Sequence, residues 1–258
     1  MTLMNSTYLQ YAADMVLLRA GLAIVVAMAG ALAAVLIGGI GHRTQCALIS
    51  LSAGVLLAVG VVAIFPETRE LVGTATALGA LAVGLFTFFL IGKYLYFSCP
   101  ACSATASDSQ RGFIQLGWLL IAAGTLHALT DGIAITLGAE VSRRVGFLVL
   151  GAVAVHKLPE GAALAAIAMQ AGYKRWEALQ ITLVMEIMTA VGSSLGLLAI
   201  GIPEGAVGIA LGIAGGSFLY IGAFALIAEA KEHEKTSIAV WSILGFVVLS
   251  ALSRLIPG

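Results

Sequence analysis

Residues 145–170, VGFLVLGAVAVHKLPEGAALAAIAMQ, form a long apolar stretch with a histidine, a lysine and a glutamate near its centre. A helix that spans a bilayer needs about 20 predominantly apolar residues, and this stretch meets that length. Ionisable side chains at membrane depth are costly, so those that are present usually serve a function. The stretch therefore predicts a membrane-spanning helix that carries a polar site.

The composition of the whole chain points to the lipid bilayer as its surroundings. Of 258 residues, 60% are hydrophobic and only 10% are charged, and the mean hydropathy is +1.06. A soluble domain has about 25% charged residues, so this chain could not cover a water-facing surface. The formal net charge is zero, which gives no basic footprint for nucleic acid. The 31 glycines are typical of closely packed membrane helices.

Eight apolar stretches are long enough to span a membrane, and they predict an all-α integral membrane protein. Residues 1–258 are expected to form a single transmembrane domain, because the breaks between stretches are short, as at Pro66-Glu67-Thr68. The longest break, 97–112, holds Cys99 and Cys102, whose role stays open between a soft-metal contact and an incidental motif. The stretches are 16–40, 46–65, 72–96, 113–138, 145–170, 177–200, 206–228 and 238–256.

An even number of spans places both ends of the chain on one side of the membrane. With both ends outside, the inner loops hold seven lysines and arginines and the outer regions hold five. The positive-inside rule therefore favours both termini outside. Short loops and compact size favour a bacterial inner membrane.

An internal repeat relates the second stretch to the seventh. A shift of 162 positions aligns glycines with glycines and then aligns a charged ending, Glu67-Thr68-Arg69-Glu70, with Glu229-Ala230-Lys231-Glu232. The two stretches would cross the membrane in opposite directions, so this is an inverted repeat, which is typical of transporters. It predicts a 3+2+3 arrangement in which helices 1–3 pair with helices 6–8, and helices 4 and 5 lie between them.

The fourth and fifth stretches each place a histidine four residues before a carboxylate, as His127 with Asp131 and His156 with Glu160. That spacing puts both side chains on one face of a helix. Two imidazoles and two carboxylates facing each other suit a divalent ion such as zinc. The alternative is that these side chains join helices by hydrogen bonds, as polar residues in membranes do.

Further groups in the same region carry charge or irregular backbone. Lys157 follows His156 directly, and Glu186 is an acid within the sixth stretch. Pro159 lacks an N–H, so it frees a carbonyl on the preceding turn beside the predicted site. Irregular backbone at membrane depth is tolerated where it lines a cavity or is buried in protein.

These motifs resemble those of the ZIP metal transporters, which carry His-x-x-x-Asp/Glu-Gly in the fourth helix and a His-x-x-Pro-His/Glu motif in the fifth. The segment from Ala53 to Glu67 resembles the family's second helix, and Gly216 to Tyr220 its seventh. The resemblance covers nearly the whole chain and implies eight helices with both termini outside. It further implies a primary metal site and, in some members, a neighbouring second site; the primary site would be His127, Asp131, His156 and Glu160, and the second Glu160 and Glu186.

The chain departs from that pattern at Lys157, where members with two metals have an acid, and at Ala128, which often is polar. A protonated ammonium group cannot ligate a cation. We therefore expect Lys157 to stand in for a second metal, paired with Glu186 or Glu160, so that the site holds one ion. Members of one branch of the family share the His-Lys pair.

The resulting prediction is transport of a divalent ion, zinc before iron, manganese, cadmium or cobalt, towards the cytoplasm. The ion is cargo, so no cofactor and no enzymatic activity are expected, and homodimerisation stays open. Two alternatives remain: an intramembrane zinc-dependent hydrolase and a metal sensor without flux. A metalloprotease would normally carry His-Glu-x-x-His, which this sequence replaces with His-Lys-Leu-Pro-Glu at 156–160.

Overall fold

The computed structural model describes residues 6–37, 42–95, 110–199, 201–232 and 235–256, and the regular secondary structure in these ranges is helical. A π-helical segment, Val59–Ile64, joins the second helix to the third, and a short 3-10 turn, Leu197–Ala199, follows the seventh. Cys99 and Cys102 lie outside the described residues. The α-helices are α1 Ser6–Ile37, α2 His42–Ala58, α3 Phe65–Val72, α4 Thr74–Leu95, α5 Gln110–Val141, α6 Arg143–Gln170, α7 Arg175–Gly196, α8 Glu204–Glu232 and α9 Lys235–Leu255.

Apart from Gly73 and Ile256, the described residues of the eight predicted stretches are helical, which confirms the all-α class. Within the described residues, seven segments are long and apolar enough to cross a membrane: Met15–Ile37, Cys46–Val72, Thr74–Ile91, Arg143–Met169, Arg175–Gly196, Glu204–Phe224 and Thr236–Leu255. The fourth predicted stretch, 113–138, lies within α5, but the side chains of residues 110–123 are outside the described part. The chain is a multi-pass membrane protein.

The predicted break at Pro66-Glu67-Thr68 is wrong, because the backbone stays helical from His42 to Val72. Pro66 stands at the start of α3, where a missing N–H is tolerated, directly after the π-helical segment. Thr68 is fully buried rather than part of a loop. The chain turns instead at Gly73, whose φ of 79° is a conformation that glycine adopts without strain.

The helices pack as two groups of four rods. The first, called here the histidine group, contains α1, α5, α6 and α7, with its largest interfaces between α1 and α6 and between α5 and α7. The second, the flanking group, contains the α2–α3 rod, α4, α8 and α9, with its largest interfaces between α2 and α9 and between α4 and α8. The groups meet mainly where α2 contacts α6 and where α8 contacts α5.

Glycines allow the backbones of the histidine group to touch. A Cβ atom at Gly30 of α1 would collide with the carbonyl oxygen of Leu158 in α6, and one at Gly161 of α6 would collide with the carbonyl oxygen of Ala27. The interface between α5 and α7 has the same reciprocal contact, with Gly132 against Thr189 and Gly192 against Leu129. Small residues let membrane helices approach in this way. Backbone contact therefore holds α6 against α1 and α5 against α7.

Replacement of Gly30 by alanine should destabilise the bundle, because the new methyl group has no room against the α6 backbone. Overpacking of a close interface costs about 1–3 kcal/mol. Gly21→Ala on the same helix is the matched control, since a Cβ atom there would meet nothing within 4 Å. Unfolding in detergent micelles would measure both; equal stability of the two variants would contradict the proposed contact.

Candidate metal centre

The α5–α6 pair brings together the histidines and carboxylates that the sequence singles out. His127 and Asp131 lie one turn apart on α5, and His156 and Glu160 lie one turn apart on α6. These four side chains are between 0% and 5% exposed. The i, i+4 spacing therefore presents both pairs to the interior of the bundle, as predicted.

The ligand atoms of these four residues lie within 4.8 Å of one another. The Nε2 atoms of His127 and His156 are 2.7 Å apart, so one ring can donate its N–H to the other. Asp131 Oδ2 lies 3.6 Å from His127 Nε2 and 3.8 Å from His156 Nε2. Glu160 Oε2 lies 4.0 Å from His127 Nε2 and 3.3 Å from His156 Nε2.

These spacings suit a small tetrahedral ion after slight adjustment. Zinc bonds to nitrogen and oxygen of about 2.0–2.2 Å imply ligand atoms separated by about 3.3–3.6 Å. The four carboxylate-to-imidazole distances run from 3.3 to 4.0 Å, so two lie within that range and two lie slightly above it. The two imidazole nitrogens, at 2.7 Å, would have to move apart, and the pairs at 3.8 and 4.0 Å would have to approach slightly. Two nitrogens and two oxygens could thus hold one ion without rearrangement of the helices.

Lys157 occupies the side of this cluster that faces α7. Its Nζ atom lies 2.8 Å from Glu160 Oε2, 3.1 Å from Asp131 Oδ2 and 3.0 Å from Glu186 Oε2. Lys157 and Glu186 are fully buried. Glu186 therefore contacts the ammonium group, while Asp131 and Glu160 lie between the ammonium group and the histidines. The sequence predicted pairing with Glu186 or Glu160; the structure has both and adds Asp131.

The charges within this buried cluster do not balance. It contains three carboxylates, Asp131, Glu160 and Glu186, but one ammonium group, Lys157. Among the described residues, the buried oxygens of these carboxylates have no hydrogen-bond donor, and their contacts are the ion pairs with Lys157 and the imidazoles. With neutral imidazoles and ionised carboxylates the formal excess is two negative charges, and burial of unpaired charge is strongly unfavourable. One divalent cation would compensate it.

Sequence reasoning missed one contact beside this cluster. The hydroxyl of Ser52 in α2 lies 3.4 Å from the carbonyl oxygen of Val155, which precedes His156. Pro159 indicated that this carbonyl lacks its usual helical donor, but nothing in the sequence identified Ser52 as its neighbour. The direction of a serine in an apolar helix is set by packing, and the local pattern carries no signal for it.

Comparison with known proteins places the chain in a family. The model described as "ZIP Zinc transporter" matches residues 102–253, more than half of the chain. The chain belongs to the ZIP zinc transporter family. The match confirms the resemblance seen in the motifs, although its range begins after the third predicted span.

Curated ZIP relatives agree with this assignment. Zinc transporter ZIP13 of Gallus gallus is 31% identical over 157 residues, covering 58% of this chain and 41% of the relative. Zinc transporter YKE4 of Saccharomyces cerevisiae is 26% identical over 168 residues, covering 59% of this chain and 49% of the relative. The matched part is thus less than half the length of either relative. Both are named as transporters, and the family is one of transporters rather than enzymes, which disfavours the hydrolase alternative.

Loss of one histidine should weaken zinc binding by the purified protein. Changes in the surroundings of metal ligands typically cost 10–100-fold in affinity, so His156→Ala, which removes a ligand itself, should cost at least about 100-fold. The matched control is His42→Ala, at the first residue of α2. Isothermal titration with zinc would compare the variants, and similar affinities for wild type and His156→Ala would exclude His156 as a ligand.

Proposed function

We propose that this ZIP protein carries a divalent metal ion, zinc in first place, through the membrane by way of His127, Asp131, His156 and Glu160. The observation that carries the proposal is the buried cluster of four ligand atoms within 4.8 Å on two adjacent helices. Imidazole and carboxylate together favour zinc among the candidate ions. The relatives' names as zinc transporters support the same cargo.

The inverted repeat is proposed as the basis of the architecture, with 1–258 as one transmembrane domain in a 3+2+3 arrangement. Gly30 and Gly192 are 162 residues apart, and so are their neighbours Ala27 and Thr189, which matches the shift seen between the second and seventh spans. Exchange of α1 with α7, α5 with α6, α2 with α8 and α4 with α9 converts each large interface into another large interface. Both regularities support an approximate two-fold axis between α5 and α6.

Transport would require the histidine group to change position against the flanking group. Within each group the helices approach closely at glycines, as at Gly30 and Gly161. Between the groups the interfaces, α2 with α6 and α8 with α5, are smaller. Movement between the groups therefore disrupts less packing than movement within one. With both termini outside, as the lysine and arginine distribution favours, the ion would move towards the cytoplasm of a bacterial cell.

Lys157 is proposed to take the place that a second ion has in some members of the family. Its ammonium group contacts three carboxylates at 2.8–3.1 Å, a position in which a cation is needed. The protein would then carry one ion at a time.

Zinc flux is the direct test of the proposed function. Wild-type protein in proteoliposomes should take up zinc, and His127→Ala and Glu160→Ala should each reduce uptake to the level of empty vesicles, because both remove a ligand. Glu140→Gln, an exposed acid at the end of α5, is the control and should retain uptake. Wild-type protein that binds zinc without flux of any divalent ion would exclude transport and favour the sensor.

Removal of the Lys157 ammonium group should change the number of ions bound. Lys157→Ala leaves three buried carboxylates without their cation, so without added metal the protein should lose about 3–5 kcal/mol of stability. Titration should then find two bound zinc ions in place of one, and zinc should restore stability.

Lys174→Ala, at an exposed lysine before α7, is the control for the change of charge. If Lys157→Ala kept a single zinc site and unchanged transport, Lys157 would have no role as the substitute for a second ion.

A further inference from the structure

One carbonyl group on the histidine-bearing helix α6 has lost its helical donor. In an α-helix the N–H of residue 159 would bond to the carbonyl oxygen of Val155, but Pro159 has no N–H. A backbone acceptor without a partner at membrane depth is costly. The hydroxyl of Ser52 on α2 lies 3.4 Å from this oxygen and can donate to it.

On the neighbouring helix α5, the carbonyl of Leu126, at the position that corresponds to Val155, keeps its helical donor. His127 and His156 are 29 residues apart, and the same interval relates Leu126 to Val155 and Thr130 to Pro159. Thr130 keeps its N–H, and its hydroxyl also donates to the carbonyl oxygen of Leu126 at 2.6 Å. The α5 carbonyl is therefore satisfied within its own helix. Only the α6 carbonyl relies on a donor from another helix.

The flanking group also differs between its two corresponding helices, α2 and α8. Ser52 corresponds to Ala214 under the 162-residue shift, so α8 offers no hydroxyl to α5 at the matching place. Ser52 is 6% exposed and lies at the interface through which α2 contacts α6. The contact thus joins the two groups on one side of the approximate two-fold axis and not on the other.

The Ser52 hydroxyl has two acceptors but a single proton. Besides the Val155 oxygen at 3.4 Å, it reaches the carbonyl oxygen of Leu48 in its own helix at 2.8 Å. The Leu48 carbonyl can be served by helical N–H groups as well, whereas the Val155 carbonyl has lost its own. Separation of α2 from α6 would leave the serine satisfied by Leu48 and would expose the Val155 oxygen.

We propose that Ser52 is a positioning residue that ties α6 to α2 through the carbonyl oxygen freed by Pro159, and that this tie must break each time the histidine group moves. The role rests on the proposed transport function. The two hydrogen bonds described for Ser52 go to backbone carbonyls and not to the four candidate ligands, so its loss should leave zinc affinity unchanged. It should speed departure from the described conformation and thereby raise the rate of zinc uptake.

A double-mutant cycle tests the tie itself. Ser52→Ala removes the donor, and Pro159→Ala gives the Val155 carbonyl a helical donor again. In the wild-type background, loss of one hydrogen bond should raise the unfolding equilibrium constant in detergent about two- to tenfold. In the Pro159→Ala background the same change should have little effect. Additive effects of the two substitutions would overturn the proposal.

The controls separate this contact from general loss of a hydroxyl. Ser50→Ala removes a fully buried hydroxyl two residues away, which has no hydrogen-bond partner among the described residues, and it should show no coupling to Pro159. Ser52→Thr keeps a hydroxyl and should behave as wild type. Coupling of Pro159 to Ser50 as strong as to Ser52 would contradict a specific tie.

Uptake into proteoliposomes tests the consequence for transport. Ser52→Ala should raise the initial rate of zinc uptake about two- to tenfold, as expected for loss of one hydrogen bond that holds the starting conformation. Zinc affinity, measured by titration, should stay within twofold of wild type. An unchanged or lower rate with intact wild-type flux would overturn the role of Ser52 alone. Absence of wild-type flux, with coupling present in the stability cycle, would instead overturn the transport function.

Discussion

The buried cluster of one ammonium group and three carboxylates is the interaction on which the rest of the structure depends. Lys157 contacts Asp131, Glu160 and Glu186, which come from α5, α6 and α7. In an apolar bundle each of these charges is tolerable only beside the others. Three helices must therefore meet at one depth, and the reciprocal glycine contact between α5 and α7 lets two of these backbones come close.

The two-fold relation proposed between the halves of the bundle would be broken at this cluster. His127 lies 29 residues before His156, and Asp131 lies the same interval before Glu160. The lysine has no counterpart, since the matching residue on α5 is Ala128, which is buried. The charged side of the cluster thus faces α7, where Glu186 contacts Lys157. The residues that recur on both helices form the candidate ligand set, and Lys157 lies beside it with Glu186.

Much of this arrangement was predictable from the sequence because its determinants are local. Apolar length identifies the helices, and the four-residue spacing from His127 to Asp131 places both on one face. Local patterns fail where neighbouring structure decides the outcome. The sequence at Pro66 predicts a break between helices, yet the π-helical segment before it lets the helix continue. The contact of Ser52 with α6 depends on the rotation of α2 against its neighbour, which no short pattern encodes.

Burial of the candidate ligands has a consequence for hydration. His127, Asp131, His156 and Glu160 are at most 5% exposed, and their ligand atoms are crowded within 4.8 Å. An ion held by all of them must leave most of its water shell behind. Magnesium dehydrates reluctantly and requires octahedral oxygen ligands, so it is poorly suited to such a place. Zinc accepts four ligands of mixed nitrogen and oxygen. The cost of losing the water shell in this buried cluster would thus discriminate between ions of equal charge before any bond to a ligand forms.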